Sequence, residues 1–139
     1  MAKGAKKRQE LDRKRSVMVI DSNIIIYASY PHNQYLRDFI SKNKCAISTI
    51  SIIETLGYHK ITADDVKSIN LIIKSSEIID ITRDIVDRAV MIRIAAKISL
   101  PDAVIAATAL HHNTELVTNN GDDFKNIAGL KIINPVRSI

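Results

Sequence analysis

The chain has 139 residues, 46% of them hydrophobic, which is enough for one domain with a core and too little for two ordinary domains. The longest apolar run near the start is interrupted at Asp21, far short of a membrane span. The single cysteine, Cys45, excludes an internal disulfide, and we expect it to be a small buried thiol. The charged first residues do not resemble a secretory signal, so we expect a cytoplasmic protein.

Residues 1–16 form a basic segment with seven basic and two acidic side chains, which accounts for the whole net charge of +5. The remaining residues, 17–139, carry no net charge. A basic segment of this kind can hold a nucleic-acid backbone, or it can be a solvated leader ahead of a domain. We therefore divide the chain into a basic N-terminal tail, residues 1–16, and one domain, residues 17–139.

Short runs rich in β-branched residues alternate with segments of helical spacing along the domain. The predicted strands are Val17–Ile20, Ala46–Ser48, Ile78–Ile81, Glu115–Thr118 and Lys131–Ile133. Thr62 and Thr82 each precede a segment with helical spacing, and Pro101 opens a run apolar on all sides, which predicts a buried helix. This alternation is typical of an α/β fold with a parallel sheet covered by helices.

Two acids lie near the ends of predicted strands or the starts of helices. Asp21 directly follows the first strand, at the sheet edge where ligands bind in open α/β folds. It could equally cap a helix that begins at Asn23. Glu54 stands three residues after Ser51, and this spacing is that of a capping box.

Two further segments place acids in comparable positions. Asp102 follows Pro101 in a first helical turn, where the helix dipole favours any acid. Asp122 and Asp123 follow the fourth strand and could be turn residues alone. In an alternating α/β fold, all these positions can converge on one rim of the sheet. Such a cluster needs a compensating cation, and Mg²⁺ prefers oxygen ligands, so the pattern indicates metal-assisted phosphodiester hydrolysis.

Several motifs together resemble the PIN-domain family, in particular its VapC-type toxin ribonucleases. The motifs are VMVIDSNIIIYA (residues 17–28), SIIETLGY (51–58), LPDAVIAATAL (100–110), LVTNNGDDF (116–124) and GLKIINP (129–135). Their order and spacing match the family from Val17 to Pro135, with Ser22 in place of the commoner threonine. The resemblance implies a three-layer α/β/α sandwich, a homodimer, and a small antitoxin protein as partner.

The resemblance also implies an activity, a metal and its ligands. The activity is that of an endoribonuclease that uses Mg²⁺, or alternatively Mn²⁺, to cleave an RNA substrate. Asp21 and Asp102 would be the chief metal ligands, with Glu54 and Asp123 completing the site directly or through water. We choose Asp123 because it immediately precedes Phe124, with Asp122 held in reserve.

Two polar residues near the fourth strand would support this site. By the same resemblance, Thr118 and Asn120 would orient the last carboxylate or a metal-bound water. The four tyrosines at positions 27, 30, 35 and 58 could stack on bases of single-stranded RNA, although packing with a solvated hydroxyl is their commoner use.

Two other classes of function remain open from the sequence. An Asp after the first strand also suits phosphoryl transfer through an aspartyl-phosphate, as in haloacid-dehalogenase or receiver-like domains. The former would have a second Asp where this chain has Asn23, and the latter would have paired acids before Asp21. A catalytically inactive domain that only binds RNA or a partner is the non-enzymatic alternative, although all four acidic positions are filled.

Overall fold

Five parallel strands form the centre of the structure, a computed structural model that describes residues 17–137. The strands are β1 (Met18–Ile20), β2 (Cys45–Ser48), β3 (Glu77–Ile79), β4 (Leu116–Val117) and β5 (Ile132–Ile133). All five predicted strands are confirmed, with ends that differ by at most two residues. The predicted basic tail, residues 1–16, lies outside the described residues, so the division of the chain stays a prediction.

Six α-helices connect and cover these strands within the described residues. They are α1 (Ser22–Ser29), α2 (Gln34–Lys42), α3 (Thr49–Leu56), α4 (Ala63–Lys74), α5 (Arg83–Ala95) and α6 (Leu100–His111), with a 3₁₀ turn at Gly121–Phe124. The start signals at Thr62 and Thr82 are confirmed, because both side chains accept a hydrogen bond from the first turn of the helix that follows. None of the helices in residues 17–137 is long and apolar enough to cross a membrane.

The helices form two layers, one on each face of the sheet. Neighbouring strand residues point to opposite faces, so Val19 packs with α5 and α6, whereas Ile20 packs with α1, α2 and α4. The middle of α6, Ala103–Ala109, is buried throughout, as its apolar sequence predicts. The predicted three-layer α/β/α sandwich is confirmed.

The strand order determines where the sheet has a crevice. The order is β3-β2-β1-β4-β5. Strands β2 and β3 therefore lie on one side of β1, and β4 and β5 lie on the other. Parallel sheets of this kind have a crevice where the order reverses, outside the carboxyl ends of the two central strands. Here those ends are Ile20 and Val117, and the Asp21 amide donates to the Val117 carbonyl at 2.9 Å.

Candidate acidic active site

Asp21 lies at this crevice and is held on both of its carboxylate oxygens. Oδ1 accepts a hydrogen bond from the Ser22 amide at 2.7 Å, and Oδ2 accepts one from the Thr118 hydroxyl at 2.8 Å. Asp21 is also the N-cap of α1, which begins at Ser22, one residue earlier than predicted. Only 5% of Asp21 is exposed, so the cap is a buried carboxylate at the end of β1.

Glu54 is exposed on α3 and is linked to Asp21 through Ser22. The Ser22 hydroxyl donates to Glu54 Oε1 at 2.7 Å, while the Ser22 amide donates to Asp21. The predicted capping box of Ser51 and Glu54 is wrong, because α3 begins at Thr49 and is capped by Ser48. Ser51 is fully buried within the helix, which leaves Glu54 free to face Ser22.

Asp102 lies in the first turn of α6, as predicted. Ser99 caps this helix, and its hydroxyl accepts a hydrogen bond from the Asp102 amide at 3.3 Å. Burial raises the pKa of the Asp102 carboxyl above its usual value, and the charge of Asp123 adds to this effect. Asp123 is exposed in the 3₁₀ turn, where its amide donates to the Asn120 carbonyl at 3.0 Å.

Electrostatic repulsion connects the acids of all four segments. Burial raises the pKa of Asp21 from 3.8 to about 6, the hydrogen bonds from Thr118 and Ser22 oppose this rise, and the charges of Asp102 and Glu54 add to it. The charge of Asp123 acts in turn on Asp102. The acids therefore interact in pairs, Asp21 with Glu54 and Asp102 and Asp102 with Asp123, and their roles as metal ligands stay a prediction.

These acids form an open rim rather than a closed cage. Within residues 17–137, no three His, Cys, Asp or Glu side chains lie close enough together to hold one metal ion. The ion pair found in this part of the chain, Arg83 with Asp87, involves none of the four acids, so no described cation neutralises them. A hard cation that keeps several waters and binds few carboxylates fits such a rim.

Sequence reasoning missed the partner of Thr118. Thr118 and Asn120 are predicted to orient the last carboxylate or a metal-bound water; the structure shows that the Thr118 hydroxyl donates to Asp21 and that its oxygen accepts from the Asn120 amide at 3.0 Å. The signal available in the sequence is that Thr118 follows a strand directly, as Asp21 does. Only the strand order shows that these two strands are neighbours.

The chain is a parallel α/β/α domain with acidic side chains at the crevice between β1 and β4. The chain belongs to the PIN domain family, whose model matches residues 18–130. PIN domains are in general nucleases.

Solved structures agree with this assignment, whereas no curated protein matches the sequence. A chain of a toxin-antitoxin complex from Klebsiella pneumoniae is 31% identical with a TM-score of 0.70, and the match covers 87% of this chain and 99% of that one. A chain of VapBC2 from Rickettsia felis, bound to a promoter DNA fragment, is 27% identical with a TM-score of 0.74 over 85% and 98% of the two chains. A chain of DNA-bound VapBC from Salmonella typhimurium shares the fold at 22% identity, with a TM-score of 0.77 over 86% and 98%.

Proposed function

We propose that the protein is a VapC-type toxin, an endoribonuclease that hydrolyses RNA phosphodiester bonds with Mg²⁺ or Mn²⁺. The observation that carries this proposal is Asp21, a carboxylate with 5% exposure at the crevice of the sheet, repelled by two other acids. Burying a charged carboxylate without a neutralising partner raises the free energy of the folded protein, and a bound divalent cation would supply the missing opposite charge.

Asp21 and Asp102 are the residues we propose to hold the cation, with Glu54 and Asp123 acting directly or through water. When bound, the cation supplies stabilisation of charge on the phosphoryl oxygens and activation of water. Membership of the PIN domain family supports this chemistry, since the family consists in general of nucleases.

The residues around Asp21 fix the position of the acids before substrate binds. Asp21 is immobilised by hydrogen bonds to both oxygens, and Thr118 is itself fixed by the Asn120 amide. Ser22 holds Glu54 beside Asp21, so the serine performs this role without the methyl group of threonine. Such fixed side chains reduce the reorganisation needed in a reaction.

A small antitoxin protein is the partner we propose, in the cytoplasm. The support is the 31% identity to a chain of a complex described as toxin-antitoxin, over nearly the whole of that chain. An antitoxin encoded beside this chain, copurifying with it and blocking RNA cleavage, is the expected finding.

A second copy of the chain is the partner we propose for the outer face of α5. Val86, Val90 and Ile94 follow one another at helical spacing and are 40%, 51% and 75% exposed. In a two-fold antiparallel contact centred on Val90, Val86 of one copy meets Ile94 of the other. This apolar face is therefore complementary to itself in a two-fold contact.

Sedimentation of the full chain tests this dimer. Wild type should sediment as a dimer at micromolar concentration, and Ile94→Glu as a monomer, because two charges would be buried in the contact. Leu71→Glu, at a position 63% exposed on α4, is the matched control and should stay dimeric. A monomeric wild type, or a dimeric Ile94→Glu, would contradict the proposed contact.

The nuclease function is tested by incubating the purified chain with labelled single-stranded RNA. Cleavage is expected with Mg²⁺ or Mn²⁺, absent in EDTA, and restored when excess metal is added back. Equal cleavage in EDTA would show that the acids do not act through a cation. No cleavage under any metal condition, by protein shown to be folded and free of antitoxin, would contradict the nuclease proposal.

A further inference from the structure

A cleft of about 480 Å³ lies beside the acidic site, between the connection from α1 to α2 and the segment that follows β5. Its lining includes Tyr27, Tyr30, His32, Tyr35, Asn119 and Arg137. We propose that this cleft binds a base of single-stranded RNA next to the phosphate that is cleaved. The inference rests on the proposed function, because it assigns the cleft to the substrate of that site.

The aromatic rings of the cleft offer faces on which a base can stack. Tyr30 is 39% exposed, and its ring stacks on His32 with 5.9 Å between centroids and 18° between planes. Tyr27 also lies near Tyr30, with 6.4 Å between the ring centroids and 59° between the ring planes. Bases of any sequence stack on such rings, which is how single-stranded RNA is bound without a strict sequence requirement.

The opposite wall supplies positive charge. The Arg137 guanidinium lies 4.5 Å from the centre of the Tyr35 ring, and the Arg137 amide donates to the Tyr35 hydroxyl at 3.3 Å. A guanidinium in this position can stack on a base or pair with a phosphate. None of the described residues that line the cleft is a carboxylate, so RNA meets no acidic side chain in that lining.

The aromatic wall is held in place before any ligand arrives. Arg37 donates from its guanidinium to the carbonyls of Ala28, Tyr30 and Pro31, at 2.7, 2.7 and 3.1 Å. Asn33 Nδ2 donates to the Tyr27 carbonyl at 2.8 Å. A connection fixed by four such bonds loses little further freedom on binding, which favours affinity for a flexible single strand.

Asn119 connects the cleft to the acidic site. It lines the cleft, and it is the neighbour in sequence of Thr118, whose hydroxyl binds Asp21. Consecutive Cα atoms are about 3.8 Å apart. The Asn134 side chain donates to Asn119 Oδ1 at 3.2 Å and so fixes this wall. A strand with its scissile phosphate at Asp21 therefore has an adjacent base within reach of the cleft.

Binding of fluorescein-labelled single-stranded RNA, measured by anisotropy in EDTA, tests the cleft without cleavage. Tyr30→Ala should weaken RNA binding about 10-fold, because a stacking ring is lost, whereas Tyr30→Phe should keep wild-type affinity. Met91→Ala is the control, since Met91 is 65% exposed on α5, which packs on the opposite face of the sheet from α1 and α2. Inorganic polyphosphate, a ligand without bases, should bind wild type and Tyr30→Ala equally.

A second variant tests the other wall. Arg137→Gln should weaken RNA binding and reduce the slope of log affinity against log salt by about 0.7, the value for one lost phosphate contact on a single strand. If Arg137→Gln changes neither the RNA affinity nor its dependence on salt, Arg137 does not contribute to RNA binding in the cleft.

Three outcomes would overturn the proposal. The first is unchanged RNA affinity in Tyr30→Ala, and the second is an equal loss of affinity in Met91→Ala. The third is unchanged RNA affinity together with lost binding of the antitoxin, which would assign the cleft to a protein. RNA binding through Tyr30 by a protein that never cleaves with Mg²⁺ would instead leave the cleft standing and contradict the nuclease function alone.

Discussion

Asp21→Asn is expected to abolish RNA cleavage while the fold survives. A single general acid or base contributes about 10²- to 10⁴-fold in rate, and loss of a cation ligand should reduce the rate by at least that much. The amide keeps the shape of the carboxylate and can still accept from the Ser22 amide through Oδ1. Initial rates of RNA cleavage, with circular dichroism to confirm folding, measure the effect.

Asp80→Asn is the matched control for this loss. Asp80 also directly follows a strand, β3, but this strand lies at the edge of the sheet, away from the crevice between β1 and β4. We expect its cleavage rate to stay within about twofold of wild type, since ordinary surface substitutions have small effects. A folded Asp21→Asn that cleaves as fast as Asp80→Asn would contradict the assignment of the site.

The second large effect is on stability without metal. The pKa of Asp21 rises from 3.8 to about 6 on folding, so the folded protein binds this proton more tightly than the unfolded chain. Its stabilising contribution is therefore full below pH 3.8 and is lost as the pH rises through about 6. The difference corresponds to on the order of 2 to 3 kcal/mol for this buried group.

Asp21→Asn removes this penalty at neutral pH. The Thr118 hydroxyl must turn to accept from the new amide, which costs about 1 kcal/mol of the gain. In EDTA at pH 8, the variant should melt several degrees above wild type, and the difference should shrink as the pH falls toward 4. Excess Mg²⁺ should raise the melting temperature of wild type alone, because binding to the folded state stabilises it by mass action.

Melting curves at pH 4 and pH 8, each with EDTA and with Mg²⁺, measure these differences. Comparison with the variant isolates Asp21 from every other group that titrates in the same range. A variant that melts below wild type in EDTA at pH 8 would show that the Asp21 charge stabilises the fold. A wild-type melting temperature that does not change when Mg²⁺ is added would contradict the proposed cation site.

The sheet could be predicted from sequence because each strand is a short β-branched run with its own local pattern. The position of Asp21 followed directly from this, since it is the first polar residue after such a run. Helix α2 was not predicted, although Leu36 and Ile40 are buried at helical spacing, because the helix has only nine residues and no acidic side chain in its first turn. A short helix with weak local signals forms mainly through packing against the rest of the domain, which local sequence patterns do not reveal.

The contacts within the site could not be predicted by local rules. The capping box at Glu54 failed because β2 runs directly into α3, so that Ser48 had already capped the helix. The bond from Thr118 to Asp21 joins residues 97 positions apart in the sequence. It depends on β4 lying beside β1, which is a property of strand order and not of either segment.

Diffraction from crystals of the full chain soaked in Mn²⁺, with data that record the anomalous scattering of manganese, tests the central claim most directly. The account predicts one strong anomalous peak in contact with the Asp21 carboxylate at the crevice between β1 and β4, and its loss in Asp21→Asn crystals. Manganese bound elsewhere, with none at Asp21 in well-ordered wild-type crystals, would contradict the proposal that these acids form the metal site.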